Sequence, residues 1–97
     1  MMDARLSGYT ILIVDDDPDI LESMELAMRA EGAKTAVAAD GTEAVQENEQ
    51  VSPDAVILDM MLPKRSGFLV LEELMKMESP PIVVMVTANE GKRHMAY

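Results

Sequence analysis

The sequence predicts an α/β fold, a doubly wound parallel sheet with helices on both faces. Three short apolar runs rich in β-branched residues, and a weaker fourth, alternate with segments of helical periodicity. Short continuous apolar runs are typical of strands buried on both faces of a parallel sheet. Strands that alternate with helices imply right-handed crossovers and helices on both faces. The predicted strands are 10–14, 34–38, 54–58 and 82–86.

The first predicted helix has clear start and stop signals. Asp17 is the expected N-cap and Pro18 suits the first helical position. Gly32 is the expected C-terminal cap. Apolar residues follow at helical spacing between these signals: Ile20, Leu21, Met24, Ala27 and Met28.

Two further helices are predicted between the later strands. Asp40 and Glu43 have the spacing of a capping box, which predicts a polar helix from Gly41 to about Gln50. A third helix is expected between the loop at Pro63 to Gly67 and the break at Ser79 to Pro81. Its predicted apolar face is Phe68, Leu71, Leu74 and Met75. A fourth helix is expected from Glu90 onward.

Length and composition bound the class of protein. The 97 residues allow one small domain, which we expect to comprise an N-terminal segment 1–9 followed by 10–97. The net charge of −10 disfavours binding to nucleic acid or anionic membranes. The chain has no cysteine, which excludes a disulfide scaffold and a cysteine zinc site. A cytoplasmic location is expected, since no secretory signal or membrane-spanning run is present.

Polar residues stand at the carboxyl ends of three predicted strands, where α/β sheets bind ligands. Asp15 and Asp16 follow the first strand, Asp59 follows the third and Thr87 follows the fourth. If the first strand lies beside the third, three carboxylates converge. Carboxylates about 4 Å apart repel by roughly 4 kcal/mol at an effective dielectric of 20, so the cluster must take up protons or hold a cation.

The donor set suggests the chemistry of this site. A few carboxylates with waters suit Mg²⁺, which can also coordinate a phosphoryl oxygen. Asp59 follows a rigid apolar strand and is the candidate nucleophile. Thr87 offers a hydroxyl for a phosphoryl oxygen, and Ala88 beside it leaves room. For each residue alone, turn, cap or strand chemistry is a sufficient explanation; their joint placement favours a site.

Three motifs in this order and spacing resemble the receiver domain of two-component response regulators. They are Ile11 to Pro18, Asp54 to Pro63 and Val83 to Ala88, and the resemblance covers the chain from Thr10 to about Tyr97. It implies the flavodoxin-like receiver fold with strand order 2-1-3-4 in this chain. It implies a phosphoacceptor switch with at most self-catalysed phosphoryl transfer and autodephosphorylation, in place of a turnover enzyme.

The resemblance also implies the role of each site residue. Asp15 and Asp16 form the acidic pocket for Mg²⁺, and Asp59 accepts the phosphoryl group. The backbone carbonyl of Met61 is a metal ligand, and Thr87 is the switch hydroxyl. The expected partner is a sensor histidine kinase or a phosphotransfer protein.

The chain departs from the family pattern in two places. Ser66 stands where the family usually has an acidic residue, and the chain ends before the family's fifth strand, its lysine and its fifth helix. We therefore expect a truncated receiver with the fourth strand at a sheet edge, and a possible homodimer through that edge. The alternative function is a degenerate receiver that acts only in protein interaction.

Two other classes remain open at this stage. Asp15-x-Asp17 after an apolar run resembles the nucleophile motif of dehalogenase-like phosphatases, with Asp15 in place of Asp59 as nucleophile. Asp15, Asp17 and Asp19 have the first spacings of a calcium loop, but Ile20 stands where that loop needs glycine.

Overall fold

The computed structural model describes residues 5–62 and 66–86. Strands and helices alternate along them without exception. The elements in chain order are β1 (Thr10–Val14), α1 (Pro18–Ala30), β2 (Lys34–Ala38), α2 (Gly41–Val51), β3 (Ala55–Asp59), α3 (Gly67–Met75) and β4 (Ile82–Val86). All four predicted strands are present; β3 begins at Ala55 and includes Asp59, one residue later at each end than predicted.

The four strands form one parallel sheet in the order β2-β1-β3-β4. β1 pairs with both β2 and β3, so the first strand lies in the interior of the sheet. In the β1–β3 pair, Val14 is opposite Leu58. The predicted strand order is therefore confirmed, and the carboxyl ends of β1 and β3 are neighbours.

A hydrophobic core lies on each face of the sheet. The larger core lies between the sheet and helices α2 and α3, and it includes alternate residues of β1 and β3. Its buried members are Leu12, Val14, Ala38, Ala44, Val56, Leu58, Val70 and Leu74. The other is smaller and lies under α1, where Leu21, Met24 and Met28 pack against Ile11 and Ile13. The alternation of side chains along each strand divides the residues between the two cores.

The ends of α1 form as the sequence predicts. The Asp17 carboxylate accepts a hydrogen bond from Asp19 N at 2.9 Å, which caps the helix N-terminus. At the other end Gly32 has a positive φ of 95°. Gly32 N donates to Arg29 O and Ala33 N donates to Met28 O, the paired bonds of a Schellman motif. This termination turns the chain back into β2.

The capping box of α2 also forms, with one difference. Glu43 N donates to Asp40 Oδ1 at 2.8 Å, and the Glu43 carboxylate accepts from Ala39 N at 2.9 Å instead of from Asp40 N. The helix ends at Val51, where Ser52 takes a left-handed conformation with φ 47°. These contacts fix the direction in which α2 leaves the sheet edge.

The predicted apolar face of α3 is partly wrong. Phe68 and Met75 are exposed, whereas Val70 and Leu74 are buried and Leu71 is half-buried. The helix begins with Gly67 against the sheet, so positions three, four and seven residues later face the core. The predicted face was therefore rotated because the sequence does not reveal that Gly67 is the first contact.

The described part of the N-terminal segment is attached to the fold. Leu6 N donates to Glu31 O at 2.7 Å, and the Leu6 side chain packs against the α1 core. Asp54 joins the starts of three strands, because its carboxylate accepts from Thr10 N at 2.8 Å and its carbonyl accepts from Ile82 N. Within the described residues, every helix is too short or too polar to span a lipid bilayer.

A pair of leucine substitutions tests the position of the core. Leu12 is 0% exposed in the middle of β1, whereas Leu26 on α1 is 63% exposed. We expect Leu12→Ala to lower the free energy of unfolding by about 2–5 kcal/mol, because it removes buried contacts and leaves a cavity. The matched Leu26→Ala variant should change it by no more than about 0.5 kcal/mol. Urea unfolding followed by circular dichroism measures both; equal losses would contradict the core described above.

Candidate active site

The register of β1 and β3 determines which side chains meet at the edge of the sheet. Val14 and Leu58 are opposite one another, so Asp15 and Asp59 come next on adjacent strands. Asp15 N donates to Ala38 O at 3.1 Å, which extends the pairing with β2 by one residue. Both aspartates are thus held on regular backbone at the carboxyl end of the sheet.

Three carboxylates form a cluster at this edge. One carboxylate oxygen from each of Asp15, Asp16 and Asp59 lies within 4.8 Å of one from each of the others. Asp15 and Asp59 are buried, whereas Asp16 is exposed. The cluster therefore has two carboxylates fixed by the protein interior and one that faces solvent.

Backbone amides orient the two buried carboxylates. Asp17 N donates to Asp15 Oδ1 at 2.9 Å, and Met61 N donates to Asp59 Oδ1 at 3.1 Å. In each case the donor is two residues after the aspartate, so each strand ends in a turn that closes on its own carboxylate. Each turn leaves the aspartate in a defined orientation toward the cluster.

The electrostatics of the cluster are unfavourable for negative charge. Burial raises the pKa of the Asp15 carboxyl above its ordinary value of 3.8, the hydrogen bond from Asp17 N partly opposes this rise, and the nearby charges of Asp59 and Asp16 add to it. Proton uptake or a bound cation would relieve this repulsion. Carboxylate oxygens with one open, solvated side are the donors that Mg²⁺ prefers, so the residues present fit this ion.

Gly67 brings α3 into direct contact with the site. A Cβ atom built on Gly67 would lie 2.5 Å from the Asp59 carbonyl oxygen and 2.7 Å from Met60 Cα. Gly67 N also donates to Met60 O at 3.1 Å. The helix thus supports the backbone on which Asp59 stands, and only a residue without a side chain fits there.

The structure brings together part of the set of residues that the sequence predicts. Asp15, Asp16 and Asp59 meet, and Met61 lies beside them through its bond to Asp59. Thr87 and Ala88 lie outside the described residues, and so does the predicted fourth helix. The supporting role of Gly67 was not predicted; its only sequence signal was its place at the end of a proline-containing loop.

The neighbouring acids have local roles. Asp17 Oδ1 accepts a hydrogen bond from the backbone amide of Asp19 and so caps the N-terminus of α1. A calcium loop would need Asp15, Asp17 and Asp19 to turn toward one ion. Asp15 is instead grouped with Asp59, so the geometry gives no support to that alternative.

Comparison with known proteins identifies the family. The model of the response regulator receiver domain matches residues 11–96, which is nearly the whole chain. The chain therefore belongs to the receiver domain family of two-component response regulators, and its fold is the flavodoxin-like fold of that family.

Individual relatives agree with this assignment. The transcriptional regulatory protein PrrA of Mycobacterium leprae is 36% identical over 90 residues, which cover 93% of this chain and 39% of that protein. The chain thus spans about two fifths of the length of this relative. The N-terminal domain of a response regulator receiver protein from Methanoculleus marisnigri superposes with a TM-score of 0.76 at 28% identity, covering 94% of this chain and 80% of that one.

A further solved structure bears on the acidic cluster. The receiver domain of a sensor histidine kinase from Pseudomonas aeruginosa superposes with a TM-score of 0.79 at 30% identity. The match covers 91% of this chain and 75% of that one. That protein was solved with a magnesium ion coordinated in its active-site cleft.

Substitution of Asp15 tests the charge repulsion. In metal-free buffer we expect Asp15→Asn to raise the free energy of unfolding at neutral pH by on the order of 1 kcal/mol, since carboxylates about 4 Å apart repel strongly even at an effective dielectric of 20. Asparagine keeps an oxygen that can accept the bond from Asp17 N. Because the folded-state pKa of Asp15 is raised, the native protein binds its proton more tightly than the unfolded chain.

The pH dependence of the Asp15→Asn effect follows from the raised pKa of Asp15 in the folded state. The penalty from ionised Asp15 is present above its folded-state pKa and disappears as the pH falls toward 3.8. The advantage of Asp15→Asn should therefore shrink on acidification, as measured by urea unfolding at several pH values. An advantage that is constant with pH, or a loss at neutral pH, would contradict the repulsion.

Substitution of Gly67 tests the contact between α3 and the site. We expect Gly67→Ala to lower the free energy of unfolding by about 1–3 kcal/mol, because the added methyl group overlaps the backbone of Asp59 and Met60. Phe68→Ala, one residue further on an exposed position, should stay within about 0.5 kcal/mol of the parent. Thermal or urea unfolding of the parent and both variants measures these changes. Equal stability of all three proteins would contradict the close contact of Gly67 with the backbone of Asp59.

Proposed function

We propose that Asp59 accepts a phosphoryl group and that the chain acts as a phosphorylation-controlled switch in two-component signalling. The observation that carries this proposal is the convergence of Asp15, Asp16 and Asp59 at the ends of adjacent parallel strands. Membership of the receiver domain family supports it.

The proposed donor is the phosphohistidine of a sensor kinase or a phosphotransfer protein. A carboxylate oxygen of Asp59 attacks phosphorus, the new O–P bond forms, and the N–P bond to histidine breaks with its electron pair kept by nitrogen. The bond from Met61 N to Asp59 Oδ1 fixes the orientation of the nucleophile before attack. Burial of Asp59 on strand β3 limits the motion of its backbone during this step.

Asp15, Asp16, Asp59 and the carbonyl of Met61 are the proposed ligands of Mg²⁺. When bound, the ion supplies positive charge that offsets the carboxylates and the incoming phosphoryl oxygens. Asp16 is exposed and so leaves a solvated side through which a phosphodonor can approach. Thr87 remains the proposed switch hydroxyl, with Ala88 beside it, on the basis of the sequence motif alone.

This assignment differs from the hydrolase alternative in the identity of the nucleophile. A dehalogenase-like site would use Asp15, whereas Asp59 stands within the motif from Asp54 to Pro63 that resembles the receiver family. Family membership also favours Asp59. The cytoplasm remains the predicted compartment, in keeping with the absence of cysteine.

Labelling by a small phosphodonor tests the assignment. With acetyl phosphate and MgCl₂ we expect the chain to gain one phosphoryl group, seen by intact mass, and to lose the labelling in EDTA. Asp59→Asn should abolish it because the nucleophilic oxygen pair is gone. Asp19→Asn, an exposed acid in the first turn of α1, is the matched control and should be labelled like the parent.

Two results would overturn the proposal. Labelling that persists in Asp59→Asn but is lost in Asp15→Asn would identify the hydrolase-like nucleophile. A folded parent that is never labelled, with or without Mg²⁺, would favour the degenerate receiver that acts only in protein interaction. Far-ultraviolet circular dichroism of each variant separates these results from misfolding.

A further inference from the structure

A cavity lies between the two loops that lead into β3 and β4. Its volume is about 480 Å³, within the range of about 300–1,000 Å³ that is typical of small-molecule sites. Its walls are Asn48, residues 52–54 and residues 77–81. Both loops stand between described elements, so the cavity is formed neither by a chain end nor by a sheet edge.

The cavity and the acidic cluster are at opposite ends of the sheet. The two loops precede β3 and β4, whereas Asp15 and Asp59 stand at the carboxyl ends of β1 and β3. At about 3.3 Å per residue, the length of β3 separates the two sites by roughly 15 Å. A ligand can therefore occupy the cavity without touching the residues proposed to accept a phosphoryl group.

The walls of the cavity carry negative charge. Asp54 and Glu78 contribute carboxylates, and no lysine or arginine is among the residues that line it. Helices α2 and α3 both end at this cavity without a basic residue in the last turn, so the negative ends of their dipoles add to the carboxylates. Lys76, the C-cap of α3, lines a neighbouring cavity of about 190 Å³ instead. The larger cavity thus favours a cation.

A buried amide on the cavity wall has an unsatisfied acceptor. Asn48 is 2% exposed, and within the described residues its Oδ1 has no hydrogen-bond partner. The Nδ2 of the same amide donates to Met77 Sδ at 2.8 Å. A buried acceptor without a partner costs free energy, which a ligand that donates a hydrogen bond would recover. Met77 is exposed and unbranched, so its side chain can shift to admit such a donor.

Hydrogen bonds between backbone groups hold the walls in place. Ser52 N donates to Asn48 O at 3.0 Å at the end of α2, and Ile82 N donates to Asp54 O at 3.1 Å, which ties the two loops together. The Asp54 carboxylate is fixed by the bond that its Oδ2 accepts from Thr10 N. Prolines in both loops restrict the backbone further. Little ordering is therefore needed when a ligand binds.

We propose that this cavity binds a small aliphatic diamine. Ammonium groups only donate hydrogen bonds, which matches walls that offer carboxylates and an amide oxygen. One ammonium group pairs with Asp54 and the other with Glu78, and Asn48 Oδ1 accepts a further N–H bond. The buried rings of Pro53 and Pro81 supply apolar contact for the methylene chain between the two charges. A single metal ion would leave most of a cavity of this size unfilled.

Titration of the 97-residue chain with putrescine tests the site. Isothermal titration calorimetry is done with excess MgCl₂, so that the amine does not simply collect at the acidic cluster. Butylamine, with the same carbon chain and one ammonium group, should bind about two- to fivefold more weakly, because it lacks one exposed ion pair. Added NaCl should weaken both. In NMR spectra of the ¹⁵N-labelled chain, the amide shifts should centre on Asn48, Ser52 and Glu78.

Substitution of Glu78 tests its role as a ligand. We expect Glu78→Gln to weaken putrescine binding about two- to fivefold. Glu72→Gln is the matched control, because it removes the same charge from an exposed position of α3 outside the cavity, and it should bind like the parent. Asn48→Leu, which keeps the size of the side chain and removes the oxygen, should also weaken binding. Circular dichroism checks that each variant is folded.

Several results would overturn the proposal. One is a parent that does not bind putrescine. Another is equal weakening by Glu78→Gln and Glu72→Gln, which would show only a general attraction to the net charge of −10. Amide shifts centred on Asp15 and Asp16 would place the amine at the acidic cluster. Binding of a lysine-rich peptide but not of putrescine would identify a basic protein partner instead. None of these measurements depends on phosphorylation of Asp59.

Discussion

The site depends on one constraint, the in-register parallel pairing of β1 with β3. Because Val14 and Leu58 are opposite one another, Asp15 and Asp59 leave the sheet side by side. Their carboxylates, with that of Asp16, then lie within 4.8 Å of one another, at a distance where like charges repel strongly. The apolar strands supply the stability that holds these charges together, since β1 is buried along most of its length. A shift of one residue in this pairing would send alternate side chains to the wrong core and separate the aspartates.

Close packing on one side of the site complements the strand register. Gly67 lets the first turn of α3 touch the backbone of Asp59 and Met60, and the bond from Met61 N orients the Asp59 carboxylate. The loop between β3 and α3 is thus held at both of its described ends. The same contact sets the rotation of α3, which buries Val70 and Leu74 and leaves Phe68 and Met75 exposed. One glycine therefore links the geometry of the site to the packing of the larger core.

The accuracy of the sequence-based predictions follows the range of the interactions involved. Strand bounds were predicted within one residue because short apolar runs end at charged or turn-forming residues. The caps of α1 and α2 were predicted because Asp17, Gly32 and Asp40 act on backbone groups only a few residues away. The face of α3 was wrong because it depends on a contact between Gly67 and β3 that local periodicity does not contain.

The sequence by itself determined the alternation of strands and helices, the caps and the identity of the three acidic residues, because these depend on side-chain chemistry and local spacing. The tertiary structure decided the order of strands in the sheet, the distance between the carboxylates and the burial that raises the pKa of Asp15. These properties arise only when segments distant in the chain are brought together, since charge repulsion and desolvation depend on separation in space.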